Sequence, residues 1–305
     1  METRNHNEIP EQKVHLEWSY WDKDISVSHF PVLWNNKVVI NIHWTYGSGT
    51  GSNNKYLNFS EQLQKDEVAS SVMYKSSRVE MEDDETLWRY ENKQRKFVWK
   101  TFSDELEDSR RVLVDTIQNS ENRFWVPPNE LEITLNGNSL GGIIAFYLAN
   151  EFPQVKNIST VGTWFRKEQT NIPILDTFPE AEELSEQLKG FKWNFMMHYG
   201  SEDNVFSPKS FRELYEGAEN AEKSFIHLIW VDHGFWKVWG DVSKKPYQKV
   251  YSSISTLVEQ WKLSSWEENL LSVVQNSQSE VKHNIDQALM DKYFVPDDED
   301  DLNLG

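Results

Sequence analysis

The chain has 305 residues and a mass of 36.0 kDa, enough for one large domain or two small ones. With 31 basic and 49 acidic residues its formal net charge is −18. That charge argues against nucleic acid and any other partner held through phosphates, because a polyanion would be repelled before docking. Hydrophobic residues make up 38% and aromatic residues 13%, so the chain can bury a sizeable core and disorder throughout is excluded. It contains no cysteine, which rules out disulfides, thiolate-bound zinc, iron–sulfur clusters and a Cys nucleophile.

The polar start, Met1 to Pro10, has no apolar run of the kind that directs secretion, and no stretch approaches the ~18 apolar residues of a bilayer span. A cytoplasmic protein without a membrane partner is the expectation. The Asn-x-Ser sequons at Asn58 and Asn157 are then coincidental.

Val14–Trp21 and Ile25–Val32 alternate polar and apolar residues, as the strands of a half-buried meander do. Lys37–Ile42 is a run that is apolar apart from Lys37 and Asn41, which suits a parallel strand buried on both faces. A Gly-rich loop runs from His43 to Ser52. Tyr56–Lys65 reads as a helix and Val68–Tyr74 as a strand. Residues 76–103 are polar and rich in both charges, with cations interleaved among aromatics, as in Trp88-Arg89-Tyr90 and from Lys93 to Lys100. Such a segment suits either a lid over a site that admits an anionic acyl compound or a plain mixed-charge helix with an aromatic stripe.

Beyond it the 3.6-residue period returns at Asp104–Asn119, and Pro127-Pro128 breaks the chain before a strand at Leu131–Leu135. The remaining pattern is a helix at Gly141–Phe152, strands at Asn157–Trp164 and Trp193–Tyr199, a short helix at Pro208–Tyr215, a strand at Phe225–Val231 and a helix at Pro246–Trp261. Strand–helix alternation repeated this often predicts an α/β fold: a mostly parallel sheet of about eight strands, helices on both faces, antiparallel strands at one edge. Residues 1–262 are read as that domain, with 76–103 as a lid-like insertion. Residues 263–294 carry two further helical stripes, expected to pack on the parent domain as a C-terminal helical extension, and 295–305 form an acidic tail expected to be disordered.

One motif carries chemistry. The strand at Leu131–Leu135 runs into Gly137-Asn138-Ser139-Leu140-Gly141-Gly142, and an apolar helix follows at once. This is G-x-S-x-G in the strand–turn–helix setting of a nucleophile elbow. A serine on so tight a turn needs neighbours without side chains, and the helix N-terminus behind it favours a developing oxyanion. A serine hydroxyl is a poor nucleophile until a base takes its proton, and the base must be held in one tautomer by a carboxylate. Asp203 follows the strand Trp193–Tyr199, and His233 follows the strand Phe225–Val231, so all three side chains fall at the carboxyl ends of parallel strands. Glu202 and Asp232 are rival carboxylates by position. His6, His15, His29, His198, His227 and His283 read as surface or packed strand residues, and no spacing suggests a metal site.

The sequence Gly137–Gly142, the G-x-x-D at 200–203 and the His-Gly at 233–234 together resemble the α/β-hydrolase superfamily of serine esterases, lipases and thioesterases, over residues 25–262. The resemblance implies the α/β-hydrolase fold, with Ser139 as nucleophile, His233 as general base and then acid, and Asp203 as the orienting carboxylate. It implies a serine hydrolase acting on the carboxylic ester of a small acyl substrate, without cofactor or metal. An acyltransferase or thioesterase on the same three residues is the alternative, as is a ligand-binding protein without turnover. One oxyanion-hole N–H is expected from Leu140 and the other from the loop after Lys37–Ile42. Where the superfamily often has His-Gly, this chain has His43-Trp44, so Trp44 or Thr45 supplies the second donor. Trp44, Asn138 and Phe235 are expected to contact substrate.

Overall fold

The structure, a computed structural model, describes residues 11–16, 25–45, 49–51, 54–77, 79, 81–165, 173–228, 230–235 and 245–260. Eight strands form one sheet in the order β1-β2-β4-β3-β5-β6-β7-β8. β1 (Gln12–Leu16), β2 (Ile25–Phe30) and β4 (Ser70–Lys75) pair antiparallel at one edge. β3 (Lys37–Ile42) pairs parallel with β4, and β5 (Glu132–Asn138), β6 (Val155–Val161), β7 (Asn194–Gly200) and β8 (Glu222–Leu228) continue the parallel ladder. The expected sheet, with its antiparallel edge, is the one present.

Helices cover both faces. α1 (Lys55–Lys65) and α8 (Lys245–Gln260) set Phe59, Leu63, Val250, Ile254 and Val258 against Val39 and Val161. The other face carries the larger cluster, built by α3 (Phe102–Gln118), α5 (Leu140–Glu151), α6 (Ala181–Gly190) and α7 (Pro208–Gly217). α5 is buried from Leu140 to Ala149 because it is apolar all round, so it runs through the middle of that layer. α3 starts where Thr101 and Asp104 cap each other reciprocally, Thr101 N–H donating to Asp104 Oδ2 at 2.8 Å and Asp104 N–H to Thr101 Oγ1 at 3.1 Å. Within 76–103 the chain forms α2 (Arg89–Phe97). Phe97 is buried while Trp88 and Trp99 are exposed, so the interleaved aromatics form no single buried stripe. The four-residue α4 (Ser120–Arg123) follows α3. A 3-10 turn, Pro173–Thr177, and α6 fill the described part of 165–191. The predicted C-terminal helices and tail, and Trp261, lie outside the described residues. Among the described residues no helix is long and apolar enough to cross a membrane.

The sheet face under α1 and α8 is pinned by side-chain hydrogen bonds between strands. Asn136 donates to Asn41 Oδ1 at 2.8 Å, Asn41 donates to Ser71 at 3.2 Å, Asn194 donates to Asn157 Oδ1 at 2.9 Å, and Asn157 donates to Thr134 at 3.0 Å. Each pair satisfies buried amides that would otherwise disfavour folding, so the pairs act as a register lock. Asn157, one of the two sequons, is consumed in this way. His198 extends the polar layer. Its Nδ1 lies 3.0 Å from the Thr160 carbonyl, which only accepts, so Nδ1 carries the proton and Nε2 faces Ser253 Oγ of α8 at 2.7 Å.

Burial holds the His198 pKa down to about 4, and burial reinforced by the Arg123 guanidinium holds His29 to about 4 as well. The unfolded chain, with ordinary values near 6.5, therefore binds more protons below that pH. Stability from these histidines is complete above about pH 6.5 and is lost as pH falls toward about 4, by up to about 3 kcal/mol for each. Urea unfolding between pH 7.5 and 4 should show this slope, and His198→Gln should flatten it. An unchanged slope in the variant would mean that His198 does not set it.

Candidate active site

The serine turn is built from close approaches. Ser139 has φ 53° and ψ −118°, a region rarely occupied by residues other than glycine. It is held there by its own N–H donating to Val161 O at 2.9 Å and by its carbonyl accepting from Gly142 N–H at 3.1 Å and Thr163 Oγ1 at 3.0 Å. A Cβ on Gly137 would stand 2.4 Å from Gly141 O, one on Gly141 2.4 Å from Ile42 O, and one on Gly142 2.0 Å from Thr163 Oγ1. A side chain at any of the three would force its neighbours to shift.

The other two groups arrive on loops zipped to each other. β7 and β8 continue as paired backbone past their strand ends, with Ser201 N–H donating to Leu228 O and Glu202 N–H to Val231 O, both at 2.9 Å. Trp230 N–H donates to Ser201 Oγ at 2.8 Å. This extension carries Asp203 and His233 to the same edge as Ser139. His233 Nδ1 lies 2.8 Å from Asp203 Oδ2, and Nε2 lies 3.2 Å from Ser139 Oγ. A carboxylate only accepts, so Nδ1 bears the proton and Nε2 presents its lone pair to the serine hydroxyl. The second Asp203 oxygen accepts from Val205 N–H at 3.1 Å. The Asp203 side chain is wholly buried and that of His233 only 10% exposed, so the pair works where water screens little.

Of the rival carboxylates, Glu202 accepts from its neighbour Ser201, and the backbone carbonyl of Asp232 closes the turn to Phe235; the oxygen on the imidazole is that of Asp203. Leu140 is the first residue of α5, where a backbone N–H has no partner inside the helix. Gly141 packs on the carbonyls of Ile42 and His43, so the end of β3 and the serine turn adjoin. Thr45 is buried and Trp44 half-buried, with the Lys93 ammonium of α2 5.8 Å from the Trp44 ring centroid. Asn138 sits on the α8 side of the sheet, where its carboxamide and that of Asn136 face the Tyr247 hydroxyl, whose pKa burial pushes up. Phe235 lies in the core cluster of α1 and α8.

Three contributors escaped the sequence reading. Gly162, at φ 60°, leaves room for the imidazole, since a Cβ there would stand 3.3 Å from His233 Nδ1. Thr163 ties the serine carbonyl. Phe206 sets its ring 5.6 Å from that of His233 and stacks on Trp164 at 3.9 Å with the planes 6° apart. A Gly-Thr pair at the end of a parallel strand, next to the serine strand, is the signal that marks the first two. Among the described residues no group of three or more His, Asp or Glu side chains is placed to hold a metal ion.

No family model matches the chain, and no curated protein compared with it does. Solved structures do match. A monoglyceride lipase from Saccharomyces cerevisiae aligns with a TM-score of 0.61 at 9% identity, over 83% of this chain and 96% of that one. The esterase domain of a Rhodothermus marinus protein aligns at 0.54 and 16%, over 82% and 98%, and a dienelactone hydrolase from Anabaena variabilis at 0.54 and 13%, over 80% and 95%. The fold is that of the α/β-hydrolases.

Gly142→Ala should destabilise the protein by about 1–3 kcal/mol through overpacking against Thr163, read from urea unfolding. Unchanged stability would show that this approach does not constrain the turn.

Proposed function

We propose that the chain is a serine hydrolase that cleaves a carboxylic ester through an acyl-enzyme. The observation that carries this reading is the hydrogen-bonded line Asp203–His233–Ser139, standing on the strand–turn–helix of an α/β-hydrolase fold. That the similar solved structures include a lipase, an esterase domain and a dienelactone hydrolase supports ester chemistry in particular. Ser139 Oγ attacks the ester carbonyl carbon while its proton passes to His233 Nε2, and the buried Asp203 carboxylate stabilises the imidazolium. The tetrahedral oxygen takes hydrogen bonds from Leu140 N–H and from a second donor in the His43–Thr45 segment. His233 then protonates the departing alkoxide. Water, deprotonated by the same imidazole, attacks the acyl-serine, and collapse of that second tetrahedral species frees the acid and restores Ser139. No step calls on a cofactor.

Turnover of short- and medium-chain nitrophenyl esters tests the proposal. Wild type should hydrolyse them, Ser139→Ala should not, and Asp203→Asn should lower kcat by about 10³–10⁴-fold with little change in KM, because the imidazole loses its tautomer and its counter-charge. A folded wild type that turns over none of them, or a Ser139→Ala variant that still does, would refute it.

A further inference from the structure

Behind the serine turn, on the far side of the end of β3, lies a cluster of charges with no access to solvent. Lys100 stands at the end of the 76–103 segment, just before α3. Its ammonium makes three contacts: Asp108 Oδ2 at 2.7 Å, Glu105 Oε2 at 2.5 Å and the Ser77 carbonyl at 3.0 Å. It donates to Ser77 O and Asp108 Oδ2 and is paired in charge with Glu105, so Ser77 and Lys100 are tied to each other. Asp108 Oδ2 also accepts from Ser77 N–H at 2.9 Å and Ser77 Oγ at 2.7 Å. Tyr74 completes the wall. Ser109 Oγ donates to Glu105 O, so the Tyr74 hydroxyl is the donor in its 2.6 Å bond to Ser109 Oγ. Nothing in the proposed reaction uses these groups, yet each side chain of the ion cluster is at most 2% exposed. Isolated charges are disfavoured so deep, so the cluster holds only as a set.

The second carboxylate oxygen of Glu105 points at the site. Oε1 lies 3.4 Å from His43 Nε2, an ion-pair distance without an aligned hydrogen bond. The imidazole is thus gripped from one side by Glu105 and from another by the Tyr74 ring, 5.0 Å away. On its opposite edge, His43 Nδ1 lies 2.9 Å from the Trp44 carbonyl, which can only accept. The Trp44 carbonyl and the Thr45 N–H belong to one planar trans peptide and point in opposite directions. Fixing one fixes the other.

We infer that Glu105, anchored by Lys100, is a positioning residue that acts through the His43 ring on the Trp44–Thr45 peptide and so sets Thr45 N–H as the second oxyanion donor. This rests on the serine-hydrolase reading above. It also gives the 76–103 segment a role: Lys100, near its end, ties it into the same cluster that orients the donor.

The test compares wild type with Glu105→Gln, His43→Asn and Tyr74→Phe in nitrophenyl ester turnover and in inhibition by a trifluoromethyl ketone that forms a tetrahedral adduct. Glu105→Gln keeps the shape of the side chain and leaves Lys100 its bonds to Asp108 and Ser77. It should lower kcat about 10–100-fold and weaken the ketone in proportion, with KM within about twofold, because a misdirected donor costs only where the oxyanion forms. His43→Asn, whose side-chain amide can take the place of Nδ1, should retain more activity than His43→Gln, whose amide takes that of Nε2. Tyr74→Phe removes one bond of the wall and should lower the melting temperature without lowering kcat. If Glu105→Gln does not fold, the His43→Asn and His43→Gln pair decides alone. Equal kcat in wild type and Glu105→Gln, or His43→Gln as active as His43→Asn, would overturn the inference while leaving Ser139 as nucleophile. A wild type inert toward every ester would overturn both together.

Discussion

The turn at Ser139 closes because nothing stands where three β-carbons would be. With Gly137, Gly141 and Gly142 bare, α5 can start directly on the end of β5 and press against the carbonyls that finish β3 and the hydroxyl that follows β6. That contact fixes the serine in a backbone conformation it would not adopt alone, at a cost of about 1–3 kcal/mol offset by the apolar burial of α5. Every other group of the site is placed relative to this turn.

The electrostatics follow from what surrounds it. Asp203 and His233 sit on backbone that continues the β7–β8 ladder beyond the strands, so their separation is set by sheet geometry and does not depend on a flexible loop. The imidazole fits because Gly162 yields space on one side and Phe206 closes another, with Trp164 and Phe178 stacked behind it. On the opposite flank a second buried imidazole, His43, meets carboxylates too, but through α3. The two histidines are thus held by carboxylates from separate elements, His233 by Asp203 and His43 by Glu105.

Much of this was legible in the sequence because the signals were local. β3 is found at its predicted bounds, since an apolar run between a turn and a Gly-rich loop leaves no other reading. Ser139, Asp203 and His233 stood out because each follows a strand at the spacing convergence demands. Strand ends were less legible: the apolar pattern predicted β6 to Trp164 and β8 to Val231, whereas the strands stop at Val161 and Leu228. Trp164 and Val231 are buried all the same, by the aromatic stack and by the α8 cluster. Burial beyond a strand's last residue looks like more strand to a periodicity argument. The ion cluster was invisible for a different reason. Lys100 belongs to the polar, mixed-charge segment 76–103 and Glu105 to the helix after it, and only the tertiary fold shows that their charges are enclosed together.

The central claim is that His233 makes Ser139 nucleophilic in the folded protein. Intact-mass and peptide mass spectrometry after brief exposure to a fluorophosphonate measures this without any knowledge of the substrate. The account predicts a single phosphonyl adduct, mapped to the peptide containing Ser139, formed at least about a hundredfold more slowly in His233→Ala. A folded protein that takes up no adduct, one labelled on another residue, or one labelled equally fast without His233 would contradict it.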